Sequence, residues 1–276
     1  MQSAAIIGTG LIGASFGLAL RAAGFAGTIL GVSSAGAIQA ALNRGAIDRS
    51  ASLAEAAAAD LVYLAQPVGR IIDTLHRLDP HVRPDTLVTD AGSTKQAIVD
   101  AATQFLRRCQ FLGGHPMAGK ESRGAEAADA DLFRGRPYVL TPAEPRDLST
   151  PAAREFRRWL HAIGAATLVM SPEQHDRAVA AASHLPQLAS TALAAVLPED
   201  ALPVAGPGAG DMTRLALSPF EVWRDIFATN ADNVDRALAA YIEKLEEMRE
   251  HLRDRELQRA FQAGAAVAAR LRRSGV

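Results

Sequence analysis

The segment Gly113-Gly114-His115-Pro116-Met117-Ala118-Gly119 sets one histidine among small residues and a proline. Backbone and imidazole can both approach a bound molecule there. A neutral imidazole can take a proton from a hydroxyl while hydride leaves the same carbon, which is alcohol oxidation. Upstream, Gly8-Thr9-Gly10-Leu11-Ile12-Gly13 has the spacing of a dinucleotide-binding turn. Gly8 permits the tight turn, Gly10 lets backbone approach a pyrophosphate, and Gly13 packs helix on strand. The helix that opens at Leu11 and Ile12 offers N–H groups and a positive dipole end to the phosphates. An acidic residue normally ends the second strand and binds the ribose, but this chain reads Val32-Ser33-Ser34. Ser33 and Ser34 can hydrogen-bond a 2′-phosphate, and no carboxylate stands there to repel one. The expected cofactor is NADP or NAD, with NADP slightly favoured over strict NAD use.

Asp90-Ala91-Gly92-Ser93-Thr94-Lys95 follows the end of an expected parallel strand, where ligands bind in open α/β sheets. Ser93 can reach cofactor or substrate there, or cap the helix behind it. His76, His81, His161 and His251 lack such a setting and read as ordinary surface or core residues. Cys109 is the only cysteine, which excludes an internal disulfide and a cysteine-rich metal cluster. No metal site is expected. The formal net charge of −1 gives no support to a nucleic-acid partner. The first twenty residues are uncharged, but no Lys or Arg precedes them and the glycine fingerprint lies inside, so they do not read as a signal peptide. No other apolar run reads as long enough to span a bilayer, so no membrane partner and a cytoplasmic location are expected.

These residues need a scaffold. Strands are expected at 3–8, 28–32, 61–65, 86–90, 109–113 and 138–141, with an edge strand at 167–170. Helices fall between most of them, including 11–23 and one from 151 to 163 with Thr150 as cap and Pro151 at its first position. This alternation predicts an α/β fold: an N-terminal Rossmann-type, doubly wound, mostly parallel sheet over residues 1–170. Past Met170 the texture turns all-α. Ser171-Pro172-Glu173-Gln174 and Ser218-Pro219-Phe220-Glu221 read as capping boxes. Residues 231 to 254 read as a long helix with a stripe formed by Val234, Leu238, Tyr241, Ile242, Leu245, Met248 and Leu252, and a further helix covers about 256 to 272. Residues 171–276 are therefore expected to form a helical substrate and dimerisation domain. A domain of that size struggles to bury internally both that stripe and the one formed by Leu257, Phe261, Ala265, Ala268 and Leu271 on the following helix, so a homodimer is expected.

The chain resembles the prephenate/arogenate dehydrogenase family of tyrosine biosynthesis. The resemblance rests on Gly8 to Gly13, Asp90 to Lys95, Gly114-His115-Pro116-Met117-Ala118-Gly119, Ser183-His184-Leu185-Pro186, and Asp211-Met212-Thr213-Arg214 followed by Trp223-Arg224-Asp225-Ile226. It implies oxidative decarboxylation of a cyclohexadienol, arogenate or prephenate, with hydride passing to NAD(P). It also implies that His115 polarises the ring hydroxyl and that Ser93 orients His115 or that hydroxyl. Arg214 would bind a substrate carboxylate, Glu121 would gate the site through an ion pair, and Trp223 would line the pocket.

One position departs from the prephenate-preferring pattern, which has histidine four residues after the serine of Ser-His-Leu-Pro. Here it is Gln187, which shares a helix face with Ser183. A neutral amide in place of a potentially cationic ring removes a repulsion of arogenate's ammonium and a partner for prephenate's carboxylate. Two rival readings are a 3-hydroxyacid dehydrogenase or imine reductase, which typically relies on a lysine in the helical domain, and a non-catalytic dinucleotide-binding regulator. After Ser171 the only lysine is Lys244, among charges, and a regulator has no need of His115, Ser93 and Arg214 together.

Overall fold

The computed structural model describes residues 1–120 and 122–273. The α/β part runs β1 (Ser3–Ile7), α1 (Leu11–Ala22), β2 (Thr28–Val32), α2 (Ala35–Asn43), β3 (Arg49–Ser50), α3 (Leu53–Ala57), β4 (Leu61–Leu64), α4 (Val68–Leu78), β5 (Leu87–Asp90), α5 (Gln96–Phe105), β6 (Gln110–Pro116), β7 (Pro137–Thr141), α6 (Pro151–Ala162) and β8 (Ala166–Val169). Among the described residues the strands form one sheet in the order β3-β2-β1-β4-β5-β6-β7-β8. Every pairing is parallel except β6 with β7. Chain order reverses between β1 and β4, the crevice where such sheets receive ligands.

Alternation along β4 builds a core on each face. Leu61 and Tyr63 join Phe16, Leu20 and Ile6 on one side. Val62 and Leu64 join Ile71, Leu75 and Leu78 of α4 on the other. With layers on both faces, central strands must be apolar throughout, and all of β4 is buried. Phe16 stacks on Tyr63 with ring centroids 3.9 Å apart, pinning α1 to the sheet. β8 closes one edge and is exposed along its length.

Two strand features differ from expectation. The short β3 lies outside the set predicted; two residues carry no readable period. More important, β6 continues through His115, which pairs with Val139 in the antiparallel register. His115 therefore does not follow the strand's end. Residues 110–112 pair with β5, whereas 113–116 have lost β5 and pair with β7. Glycine and proline in that run read as loop because the partner that makes them a strand lies downstream.

The helical part holds α7 (Pro172–Val179), a π turn (Ala180–His184), α8 (Leu185–Val196), α9 (Pro207–Thr213), a 3₁₀ turn (Arg214–Leu217), α10 (Phe220–Thr229), α11 (Ala231–Glu250) and α12 (Glu256–Arg273). Ser171 and Gln174 form the expected capping box. Ser218 does not cap α10: its hydroxyl accepts from Trp223 Nε1 at 2.9 Å. α11 stops at Glu250 rather than 254, and Asp254 accepts from Glu256 N–H at 2.8 Å to open α12. Contrary to expectation, Pro172–Val196 is continuous, with a mean hydropathy of 1.2 over its most apolar window, so it has the length and composition to cross a bilayer. Its alanines raise that average, while His175, Asp176, His184 and Gln187 on it are buried. Met1–Asn230 form one compact unit, and a second begins at Ala231. Within that second unit Ile242, Leu245, Phe261, Val267 and Leu271 are exposed in the single chain.

Candidate active site

The glycine turn fits a dinucleotide. Gly8 adopts φ +97°, and a Cβ there would lie 2.4 Å from the Ala65 carbonyl oxygen. A Cβ on Gly13 would lie 2.0 Å from the Gly8 oxygen, so α1 sits directly on the turn. Gly10 has open space around it instead. It caps α1 with no side-chain hydrogen bond, so the first-turn N–H groups of Leu11, Ile12 and Gly13 remain for an anion. Ser33 and Ser34 are exposed at the end of β2, and Ser34 makes no capping hydrogen bond to α2.

His115 is buried at the head of a relay through two residues that sequence reasoning passed over, His175 and Asp176. Its Nδ1 lies 2.8 Å from Nε2 of His175, whose Nδ1 lies 2.8 Å from Oδ1 of Asp176. A carboxylate only accepts, so Nδ1 of His175 carries the proton. With both rings neutral, His175 Nε2 is an acceptor and His115 Nδ1 donates to it. That fixes the tautomer and leaves Nε2 of His115 as the lone-pair atom. Burial first, then the neighbouring His175, Lys95 and His184, holds His115 well below the ordinary histidine value, so the ring is neutral.

Asp176 is anchored in turn. Its Oδ1 accepts from the Lys95 N–H at 2.7 Å and its Oδ2 from the Gln96 N–H at 2.9 Å. It therefore caps α5 from α7, the task considered for Ser93. Ser93 is half-buried in the loop just before that cap. Asn230 Nδ2 donates to the Asp176 carbonyl at 2.8 Å and lies 3.3 Å from Nδ1 of His184. Burial lowers His184 to about 4. One sequence signal was available: Asp176 shares the buried i, i+3, i+4 face with Val179 and Ala180, a core position for a carboxylate.

The helices bring the expected substrate residues together in part. Gln187 is buried, and its Nε2 donates to the Leu215 carbonyl at 2.8 Å and to Thr191 Oγ1 at 3.2 Å. Ser190 Oγ accepts from the Ala216 N–H at 3.1 Å. The turn carrying exposed Arg214 is thus tied to α8. Trp223 stacks on Phe227 at 5.4 Å and meets the His184 ring edge-on at 6.0 Å. Ser183 is half-buried in the π turn, which rephases the helix ahead of Gln187. Thr94 and Thr229 hydroxyls lie 2.7 Å apart, and Asp225 Oδ2 accepts from the Gly69 N–H at 3.1 Å, so α10 clamps the loop after β5 and the first turn of α4. Glu121 lies outside the described residues. Lys244, the lysine a rival reading would need, pairs with Glu247 on α11.

Fold and site together define a dinucleotide-linked oxidoreductase. "Prephenate dehydrogenase, nucleotide-binding domain" matches residues 16–169 and "Prephenate dehydrogenase, dimerization domain" matches residues 171–263. The prephenate dehydrogenase of Bacillus subtilis (strain 168) is 33% identical over 267 residues, covering 93% of this chain and 71% of that one. The structure of A. aeolicus prephenate dehydrogenase with hydroxyphenyl propionate and NAD+ superposes with a TM-score of 0.84 at 31% identity, over 99% of this chain and 96% of that one. Synechocystis arogenate dehydrogenase gives 0.82 at 30% identity, over 98% and 99%. The chain belongs to the prephenate dehydrogenase family.

Proposed function

We propose that this chain oxidatively decarboxylates arogenate, prephenate or both, as a cytoplasmic homodimer. The observation that carries the mechanism is the His115–His175 hydrogen bond, because it presents Nε2 of His115 as an acceptor. That atom takes the hydrogen bond, and then the proton, of the ring hydroxyl as the C–H bond at the same carbon breaks. A dinucleotide held by its pyrophosphate at the Gly8–Gly13 turn would supply the hydride acceptor. Carbon dioxide then leaves from the opposite ring carbon, its bonding pair completes the aromatic ring, and the new phenolic oxygen recovers the proton from His115. Ser93 orients the hydroxyl or His115, and Arg214 binds a substrate carboxylate with its two-pronged guanidinium.

Gln187 supports arogenate or dual use. Its amide nitrogen is committed to Leu215 and Thr191, which leaves the amide oxygen, an acceptor suited to an ammonium and not to a keto acid. Ser183, in the π turn before it, and Trp223, against the His184 ring, are the further candidates for the substrate side. The Ser33–Ser34 turn supports NADP as well as NAD. Purified protein should reduce NADP or NAD when given arogenate or prephenate; silence in all four pairings would sink the reading. The exposed apolar residues of α11 and α12 support the homodimer, and light scattering should return twice the 29.1 kDa chain mass.

A further inference from the structure

The Asp90–Lys95 stretch holds a charge pair that the reaction above does not use. Both side chains are fully buried, and Lys95 Nζ pairs with Asp90 Oδ2. Nζ also donates to the carbonyl of Gly114 at 2.8 Å. Asp90 Oδ1 accepts from the Gly114 N–H at 3.0 Å, and Oδ2 from the Gly92 N–H at 2.8 Å. Both backbone groups of the residue before His115 therefore end on one ion pair. The register explains why. β5 pairs with β6 only as far as Leu112 and ends at Asp90. Beyond that point the two side chains take the place of the missing strand. The approach is close, since a Cβ on Gly114 would lie 2.7 Å from the Asp90 carbonyl oxygen.

A buried ion pair is a weak way to stabilise a fold, because desolvation offsets the attraction, and apolar residues of like volume often do as well. Two apolar side chains could fill this volume, but they could not hold Gly114 by both its N–H and its carbonyl. We propose that Lys95 is a positioning residue for the reaction: through the Gly114 carbonyl it holds the strand that aims His115, and its ammonium stands beside that ring as a fixed positive charge. The inference rests on the reading that His115 accepts the substrate's proton.

The groups facing His115 make the electrostatic part specific. His175 on α7, His184 in the π turn and Lys95 ahead of α5 all oppose a proton on its ring, after burial itself. Asp90 and Asp176 are the anions of the cluster; they pull Lys95 upward while burial, the larger effect, pushes it down. His115 reaches Asp176 only through His175, so the relay supplies a neutral acceptor where a direct carboxylate would invite an imidazolium. The Lys95 ammonium, paired with Asp90, opposes a proton on His115, and removing it favours the protonated, non-accepting ring.

The test compares Lys95→Met, Lys95→Arg and the double variant Asp90→Asn/Lys95→Met, using whichever substrate the wild type turns over. In Lys95→Met, kcat should fall about 10–100-fold, and the acid limb of kcat/KM should move to higher pH by about one unit. Lys95→Arg keeps the charge but alters the reach to Gly114, so kcat should fall while the acid limb stays with the wild type. The double variant removes both charges together; Asn keeps an acceptor for only one of the Gly92 and Gly114 N–H groups, so it should fold with a lower urea midpoint, and it should retain the raised limb. Cofactor affinity, read by fluorescence, should stay within about twofold in all three, since the pyrophosphate turn is at β1. A Lys95→Met enzyme with wild-type kcat and acid limb would overturn the proposal. So would a kcat loss with an unmoved limb, which is the mark of mere structural damage, or a double variant unable to fold. An inactive wild type would instead refute the functional reading.

Discussion

Gln187 and Leu215 are joined by a 2.8 Å hydrogen bond from the side-chain amide to the main-chain carbonyl, and Leu215 is the immediate neighbour of Arg214. Gln187 thus fixes the turn that carries the expected carboxylate clamp, and its amide oxygen is the acceptor proposed for the substrate's side chain. Gln187→His should shift the ratio of kcat/KM values toward prephenate by about tenfold, the worth of one modest polar contact. Steady-state kinetics on both substrates decide it; an unchanged ratio would remove Gln187 from substrate choice.

His115→Asn should lower kcat by about 10²–10⁴-fold, the range for a lost acid–base group, with cofactor affinity kept. Asp176→Asn is the more discriminating variant. Asp176 accepts from His175 and from two N–H groups at the start of α5. An amide cannot accept at both of its heavy atoms, so either α5 loses a cap or His175 receives a donor and reverses its tautomer. Stability should fall by about 1–3 kcal/mol in the first case, and kcat by up to about 10⁴-fold in the second. Denaturation and kinetics together tell which; no change in either would break the relay assignment.

His115 and His184 are both held below the ordinary value with burial as the first cause, His184 at about 4. In the unfolded chain both return to about 6.5. Below that pH the unfolded chain binds protons that the fold refuses. Stability from this source is full above about pH 6.5 and declines as pH falls toward 4. Urea midpoints should agree between about pH 7 and 8 and drop at about pH 5. His184→Gln, which keeps an acceptor for Asn230, should flatten that drop. A midpoint that holds or rises on acidification would contradict the burial of neutral rings.

Ser33→Asp should repel a 2′-phosphate and move cofactor preference toward NAD. The ratio of kcat/KM for NADP and NAD measures it. A wild type already strict for NAD, or a variant with the same ratio, would refute the reading of the Ser33–Ser34 turn.

Much of the scaffold could be read from local rules. The glycine turn, the apolar central strands and the Thr150 and Ser171 caps are set by residues within a few positions of one another, and the structure has them. His175 and Asp176 were harder. Their meaning comes from α5 and β6, which lie some sixty to eighty residues away, and neither sits in a glycine-rich setting. The path of β6 through His115 was hidden for a similar reason, since its partner β7 comes later in the chain. Ser218 shows the opposite error: its spacing imitates a cap, but Trp223 offers a better donor.

The π turn at Ala180–His184 closes a wider ring, with the Leu185 N–H reaching the Ala180 carbonyl. It carries one residue more than a regular turn, just ahead of Pro186, whose ring would otherwise press on a carbonyl in the preceding turn. A chain shortened by one residue there would lose that slack and meet Pro186 with a kink. If it stayed helical, everything beyond would rotate by about 100°, swinging Gln187 away from Leu215. This stretch should therefore tolerate substitutions far better than any change of length.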